Sequence, residues 1–145
     1  VVGAIPAEAA KSVRLLLPSP TSAVVRQVGS VLTRQIRQRC DMQVVSAGEA
    51  LLTVELAVAP GLGTEGFRIE DRVGGGVRIV GNDERGLLYG AGKFLRTGRY
   101  GADGFRPGTW RGTSGPQQPV RGIYFATHCH NVYTNAPDAE VQRHV

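Results

Sequence analysis

The stretch "GFRIEDRVGGGVRIVGNDERGLLYGAGKFLR", residues 66–96, contains the patterns that decide the fold. Its first part, "FRIEDRV", alternates with a period of two, which is typical of a strand with one buried face. Three glycines follow at 74–76, and "VRIVG" then places Val77 and Ile79 on the inner side. Because glycine tolerates the positive φ angles of tight turns, this part of the stretch predicts a β-hairpin.

The second part of the stretch predicts a helix that packs closely on a sheet. Asn82 or Asp83 can cap its start, and Gly98 ends it. Gly86 and Gly90 lie four residues apart on one face, and each costs a helix about 1 kcal/mol relative to alanine. We interpret them as positions where the missing side chain lets the helix approach the sheet. The predicted apolar stripe consists of Leu87, Leu88, Ala91, Phe94 and Leu95.

Upstream of this stretch the sequence predicts three more strands and one more helix. The strands are residues 12–18, 42–47 and 51–59, each a short apolar run. Thr21 or Ser22 can cap the helix between the first two strands. Its apolar face consists of Val24, Val28, Val31, Leu32 and Ile36. The predicted fold class is α+β, a mostly antiparallel sheet with two helices packed on one face.

The motif "GLGTEG", residues 61–66, matches the G-x-G-x-x-G pattern of dinucleotide-binding loops. That loop binds a pyrophosphate only where its glycines lead from a strand into a helix N-terminus. Here a period-two strand follows instead, and Pro60 interrupts the preceding element. We therefore predict that "GLGTEG" is a hairpin turn and that Asp83 caps a helix rather than binding a ribose hydroxyl.

The C-terminal third of the chain changes character. Residues 100–119 are rich in Gly and Pro and are predicted to form a long irregular linker. Tyr100, Phe105 and Trp110 lie in it, and they either stack on sugar rings or hold the linker to the unit that follows it. Residues 120–145 then contain an apolar strand and a helix that stops after two turns. The predicted division is an α+β domain at 1–99, a linker at 100–119 and a further unit at 120–145.

Composition narrows the possible partners. The chain has 145 residues, a formal net charge of +5 and 41% hydrophobic residues, as in a globular domain. Its arginines are spread along the chain and stand beside acidic residues, so we expect no nucleic-acid partner. No run approaches the roughly 18 apolar residues that a membrane helix needs, so we expect no membrane partner. Cys40 and Cys129 fit no metal-ligand spacing, and whether they pair stays open.

Residues 66–96 resemble the non-catalytic domain that precedes the barrel in family-20 β-N-acetylhexosaminidases, with related domains in α-glucuronidases. The shared pattern is an aromatic-x-aliphatic strand, a turn, an aliphatic strand ending in Gly, and "G-x-x-Y-G" opening a helix. The resemblance covers most of residues 12–98. It implies a β-hexosaminidase domain 2-like, zincin-like accessory domain, followed at 120–145 by the first strand and first helix start of a (β/α)8 catalytic barrel.

The same resemblance suggests a substrate site at the start of that barrel. The family pattern is similar to R-G-x-x-x-D-x-x-R-H, and "RGIYFATHCH" matches it at Arg121 and His130. Ala126 replaces the family's Asp and Cys129 its second Arg, which puts hexosaminidase activity in particular in doubt. The resemblance implies that Arg121 contacts sugar hydroxyls. The predicted substrate-binding residues are Arg121, His128, His130 and Asn131.

His128 and His130 also allow a different interpretation. An H-x-H pair on one strand points both rings to the same side, as in some zinc hydrolases. The alternative is that both rings line a sugar cleft or simply pack. The sequence shows no further ligands for such a site, so we predict no metal and no cofactor.

Two classes of function follow. In the first, the chain is the accessory domain of a secreted or periplasmic glycoside hydrolase active in polysaccharide degradation, and its partners are the remainder of its own chain and an oligo- or polysaccharide. In the second, it is a free-standing carbohydrate- or protein-binding α+β module without catalysis. Glycoside hydrolysis generally needs a pair of carboxylates. No strand here ends in such a pair, so we predict no catalytic residue in this chain and leave its status as an enzyme open.

Overall fold

A strand-helix-strand unit opens the part of the chain that the computed structural model describes, residues 11–122. Strand β1 (Ser12–Leu16) leads through helix α1 (Ala23–Arg39) to β2 (Gln43–Val45), which pairs with β1 in parallel. Helix α1 begins where the Ser22 hydroxyl accepts a hydrogen bond from the Val25 amide at 3.2 Å. A helical connection returns the chain to the same end of the sheet, which is why the two strands run in the same direction.

The remaining strands complete one mixed sheet of six strands. They are β3 (Leu52–Val58), β4 (Phe67–Asp71), β5 (Val77–Gly81) and β8 (Gly112–Ser114), and the order is β2-β1-β3-β5-β4-β8. Three of the five pairings are parallel, β1 with β2, β1 with β3, and β3 with β5. The expectation of a mostly antiparallel sheet is therefore wrong, whereas the α+β class with two helices is confirmed.

The hairpin predicted within residues 66–81 is confirmed. Strands β4 and β5 pair antiparallel, with Ile69 opposite Ile79, and all three glycines at 74–76 have positive φ. The segment "GLGTEG", in contrast, is not a hairpin turn. It connects β3 to β4, and β5 lies between these two strands. The chain therefore passes over the end of β5, and "GLGTEG" forms part of that crossing.

Helix α2 (Glu84–Thr97) lies on the same side of the sheet as α1, and one cluster of buried side chains joins both helices to the sheet. A Cβ atom at Gly90 would lie 2.8 Å from Cγ2 of Ile79, so the close approach predicted for this face is confirmed. Two residues that were predicted to lie on the buried faces of the helices are exposed instead. Val24 and Leu88 are 45% and 43% exposed, and Val25 takes the buried position on α1.

Three short strands occupy the segment that was expected to be irregular. Strand β6 (Arg99–Gly101) pairs with β7 (Gly104–Arg106) in a two-stranded ribbon, and β8 adds to β4 at the edge of the main sheet. Phe105, at the centre of β7, is 1% exposed. Residues 99–114 therefore contribute side chains and backbone pairing to the same core as the segment before them.

Candidate functional site

Two side chains at the start of α2 bind the crossing, the segment that connects β3 to β4. The Oδ1 atom of Asn82 accepts hydrogen bonds from the amides of Gly61 and Leu62, both at 2.9 Å. The carboxylate of Asp83 accepts from the amide of Glu65 at 2.7 Å and from that of Gly86 at 2.8 Å. Asp83 is thus the N-cap of α2, as predicted, and it also holds the last turn of the crossing.

This geometry contradicts a dinucleotide-binding role for "GLGTEG". Gly66 leads directly into strand β4, so no helix N-terminus follows the loop. The amides of Gly61, Leu62 and Glu65, which such a loop would offer to a pyrophosphate, bind Asn82 and Asp83 instead. The motif therefore serves the packing of the chain on itself.

The two amide hydrogen bonds, first the one from Gly86 and then the one from Glu65, lower the pKa of Asp83 below its usual value. An Asp with a lowered folded-state pKa contributes stability that is present above about pH 3.9 and is lost as the pH falls through the folded-state pKa. The lowered pKa of Asp83 therefore predicts how the stability of two variants of this residue depends on pH.

We expect Asp83→Ala to lower the free energy of unfolding by about 2–3 kcal/mol at pH 7, because it removes the cap of α2 and leaves the Glu65 amide without its hydrogen-bond acceptor. Asp83→Asn keeps one acceptor oxygen and is expected to cost less. The difference between wild type and Asp83→Asn should shrink from pH 7 to pH 3, and urea unfolding at both values measures it. Equal differences at the two pH values would contradict the role of the charge.

Glu65 and Arg121 form a second cluster beside this junction. Glu65 has a φ of 57°, which is rare for a residue with a side chain, and its side chain is 13% exposed. Its carboxylate pairs with Arg121 and with Arg85, in the latter case at 3.1 Å. These contacts, the Arg121 hydrogen bond before that of Arg85, lower the pKa of Glu65. The Glu65 carboxylate is thus held in its ionised form.

Arg121 is held by three groups. Besides the Glu65 carboxylate, its guanidinium donates to the carbonyl of Gln118, and it lies 5.9 Å from the ring centroid of Tyr89. The Glu65 hydrogen bond raises the pKa of Arg121, so the guanidinium stays charged. A hollow of about 260 Å³ opens beside it, lined by Glu65, Phe67, Tyr89, Ser114, Gly115, Pro116 and Arg121. Sequence reasoning singled out Arg121 but missed Glu65, whose position in a glycine-rich crossing gave no signal.

The other predicted substrate-binding residues lie outside the described residues. These are His128, His130 and Asn131. Cys129 also lies outside the described residues. The structure therefore places only Arg121 of the predicted set. Within residues 11–122, no group of three or more His, Cys, Asp or Glu side chains is arranged to hold a metal ion. In the same range, neither helix has the length and apolarity required to cross a membrane.

The three aromatic residues considered as sugar contacts pack within the domain. Phe105 lies between Phe94 and Tyr100, with ring centroids 5.3 and 5.1 Å away. Trp110 packs on Phe67 at 6.1 Å, and the Lys93 ammonium lies 5.1 Å from its ring centroid. Through these contacts, the three rings hold residues 99–114 to the domain that precedes them.

The face of the sheet opposite the helices carries paired charges. Glu55 binds Arg72 at 2.8 Å and Arg78 at 3.0 Å, and Arg78 also reaches Glu70 at 3.2 Å. Arg14 donates to the Thr53 hydroxyl at 3.0 Å. Several of the arginines that produce the net positive charge are thus neutralised on the surface where they stand.

Comparison with known proteins gives matches to solved structures alone. No family model matches the chain, and no curated protein does. The structure is similar to part of the GH20 β-N-acetylhexosaminidase from Streptomyces coelicolor, with a TM-score of 0.52 and 23% identity over 70% of this chain. It is also similar to part of a GH138 enzyme targeting pectin rhamnogalacturonan II, with a TM-score of 0.50 and 14% identity over 59% of this chain.

The matching unit is a small part of each of these enzymes. It covers 21% of the GH20 chain and 13% of the GH138 chain. At such identities the similarity concerns the fold. The α+β layer described here is therefore a fold that also occurs as part of glycoside hydrolases.

Proposed function

We propose that this chain is the N-terminal accessory domain of a carbohydrate-active glycoside hydrolase, hexosaminidase- or α-glucuronidase-like, and supports a barrel that hydrolyses O-glycosidic bonds. The observation that carries the proposal is the fold shared with one-fifth of a GH20 enzyme and about one-eighth of a GH138 enzyme. A unit that recurs as a minor part of two glycoside hydrolases fits a supporting role better than a catalytic one.

The carboxylates of the described residues also favour a supporting role over a catalytic one. A glycosidase needs one carboxyl group with a raised pKa as its general acid. The pKa values of Glu65 and Asp83 are lowered instead, because arginines and backbone amides stabilise their ionised forms. Glu55 and Glu70 are bound by arginines on the charged face of the sheet. These groups suit structural pairing, and the catalytic acids belong to the later part of the parent enzyme.

Substrate contact is assigned to the end of the chain. Arg121, His128, His130 and Asn131 would face an oligo- or polysaccharide at the mouth of the barrel, where enzymes of this architecture keep their sites. A guanidinium carries five N–H donors, and the Glu65 and Gln118 contacts leave Arg121 able to donate to a sugar hydroxyl as well. We assign no cofactor to this chemistry and place the parent enzyme in the secreted or periplasmic space, where polysaccharides are met.

The proposal is tested by assaying two proteins against a panel of aryl glycosides. The chain of 145 residues is expected to hydrolyse none of them, because its sequence predicts no catalytic pair of carboxylates. A parent protein that continues beyond Val145 is expected to hydrolyse at least one, at a rate abolished by replacing a carboxylate of its later strands. Activity of the short chain, or inactivity of the parent across the panel, would contradict the proposal.

A further inference from the structure

A groove lined by arginines runs between helix α1 and the end of strand β1. Two adjoining hollows of about 480 and 470 Å³ form this groove, and both are lined by Leu15 and Leu17 of the β1 segment. The wall on α1 carries three guanidinium groups, those of Arg26, Arg34 and Arg37. We call this feature the arginine groove.

The three guanidinium groups have no carboxylate partner among residues 11–122. Helix α1 contains four arginines and no Asp or Glu in its 17 residues, so the helix itself supplies no acid to neutralise them. Arg26 donates to the carbonyl of Thr21 and Arg37 to that of Val44, which positions both side chains and leaves their charge uncompensated. Arginines on the opposite face of the sheet, in contrast, are paired with glutamates. The arginine groove therefore attracts an anionic occupant.

The same groove exposes part of one edge of β1. Strand β2 pairs with residues 12–14 of β1, whereas β3, on the other side, pairs with β1 as far as Leu16. In the part of the chain that the structure describes, no strand therefore pairs with Leu15 and Leu16 on the β2 side. An unpaired strand edge presents N–H and C=O groups to which a further strand can bind. This edge can accept an extended peptide backbone in line with β2.

The two faces of such an added strand would meet different surroundings, because the side chains of a strand alternate between the faces of the sheet. Leu15 packs against the core on the helix side, so side chains on that side enter the arginine groove. Leu16 and Val45 share the opposite face and also line the second hollow. Carboxylates suit the first set of positions and apolar side chains suit the second. The α1 face from Arg26 to Arg37 is about 16 Å long, which about five extended residues span.

We propose that the arginine groove binds an extended acidic peptide, in which Glu or Asp alternates with apolar residues and which adds a strand to β1 beyond the end of β2. A sugar chain fits the groove less well, because none of the described residues that line it is aromatic and a sugar chain has no repeating amide groups to pair with the strand edge. This peptide site is separate from the substrate contacts of the proposed function and does not depend on them.

Isothermal titration calorimetry of the whole 145-residue chain with a synthetic hexapeptide, acetyl-(Glu-Val)3-amide, tests the site. The wild type is expected to bind this peptide and not the analogue in which Gln replaces Glu. Arg34→Gln should weaken binding about fivefold, because it removes one ion pair with the peptide. Its Tm should stay unchanged, since Arg34 is an exposed residue of α1. Arg96→Gln is the matched control: it removes the same charge from an exposed position of α2 outside the groove, and should leave the affinity unchanged.

Two N-methylated forms of the peptide test the added strand. Successive residues of a strand turn their amides to opposite edges, so methylation of the first, third and fifth residues blocks one edge and methylation of the other three blocks the second. One form should lose binding and the other should keep it. Loss with both forms, or retention with both, would show that no strand is added to β1.

Three further results would overturn the proposal: no binding of the Glu peptide by the wild type, equal binding of the Gln analogue, or unchanged affinity in Arg34→Gln. Preferential binding of a tri-uronate or of an oligonucleotide with the same three charges would also overturn it, because the occupant would then not be a peptide. Failure of the glycoside assay would leave the calorimetric result as it stands, so the two proposals fail separately.

Discussion

Replacing Gly86 with alanine is expected to lower the free energy of unfolding by at least about 3 kcal/mol, and the Tm by about 10 °C. A Cβ atom at this position would lie 2.1 Å from the carbonyl oxygen of Gly66, far inside van der Waals contact. That oxygen cannot move away cheaply, because it accepts a hydrogen bond from the Asn82 amide at 2.8 Å. The clash is between two backbone segments, so no change of rotamer relieves it.

Gly92→Ala is the matched control for this variant. Gly92 lies in the same helix, and its added Cβ atom would meet only the flexible end of Arg96, at 3.4 Å. Because alanine favours helix by about 1 kcal/mol over glycine, Gly92→Ala should stabilise the protein by up to that amount. Thermal and urea unfolding of both variants measure the contrast. Equal effects of the two substitutions would show that α2 does not approach the crossing as closely as described.

Phe105→Ala is expected to cost about 3–5 kcal/mol, as large-to-small changes of a buried aromatic residue do. The ring packs against Phe94 and Tyr100, and the amide of Phe105 donates to the sulfur of Met42 at 2.8 Å. A cavity at this place would separate the β6–β7 ribbon from the core. The whole described domain should therefore lose stability in one transition.

Val73→Ala serves as the control for Phe105→Ala, because Val73 is 95% exposed and its truncation should change stability by less than about 0.5 kcal/mol. Circular dichroism and tryptophan fluorescence should give the same midpoint for each variant, since Trp110 packs on Phe67 within the same core. If Phe105→Ala unfolded only the fluorescence-reporting segment and left the helices intact, residues 99–114 would be an independent unit.

Local patterns were sufficient for the five strands that precede residue 82 and for the two helices and their caps. The alternation of residues 67–71 and 77–81 predicted the β4–β5 hairpin, and the position of Asp83 predicted the cap of α2. Both features depend on residues close together in the chain. Gly86 and Gly90 likewise indicated close packing, although the sequence could not name Gly66 and Ile79 as the groups approached.

The segment 99–114 shows where local patterns fell short. Its Gly and Pro content predicted an irregular connection, yet it holds three strands and the buried ring of Phe105. One signal was available: Asp103-Gly104 between two aromatic residues is a short hairpin motif. Burial of Phe105 depends on Phe94 and Met42, however, and no rule of spacing relates them to it.

By itself the sequence determined that this chain is an α+β domain with two amphipathic helices, because period and capping are properties of neighbouring residues. Only the tertiary structure decided that three of the five pairings in the main sheet are parallel, that "GLGTEG" crosses over β5, and that Glu65 meets Arg121. Glu65 and Arg121 are 56 residues apart. Which distant residues meet depends on how the whole chain packs, and no single segment of the sequence determines that packing.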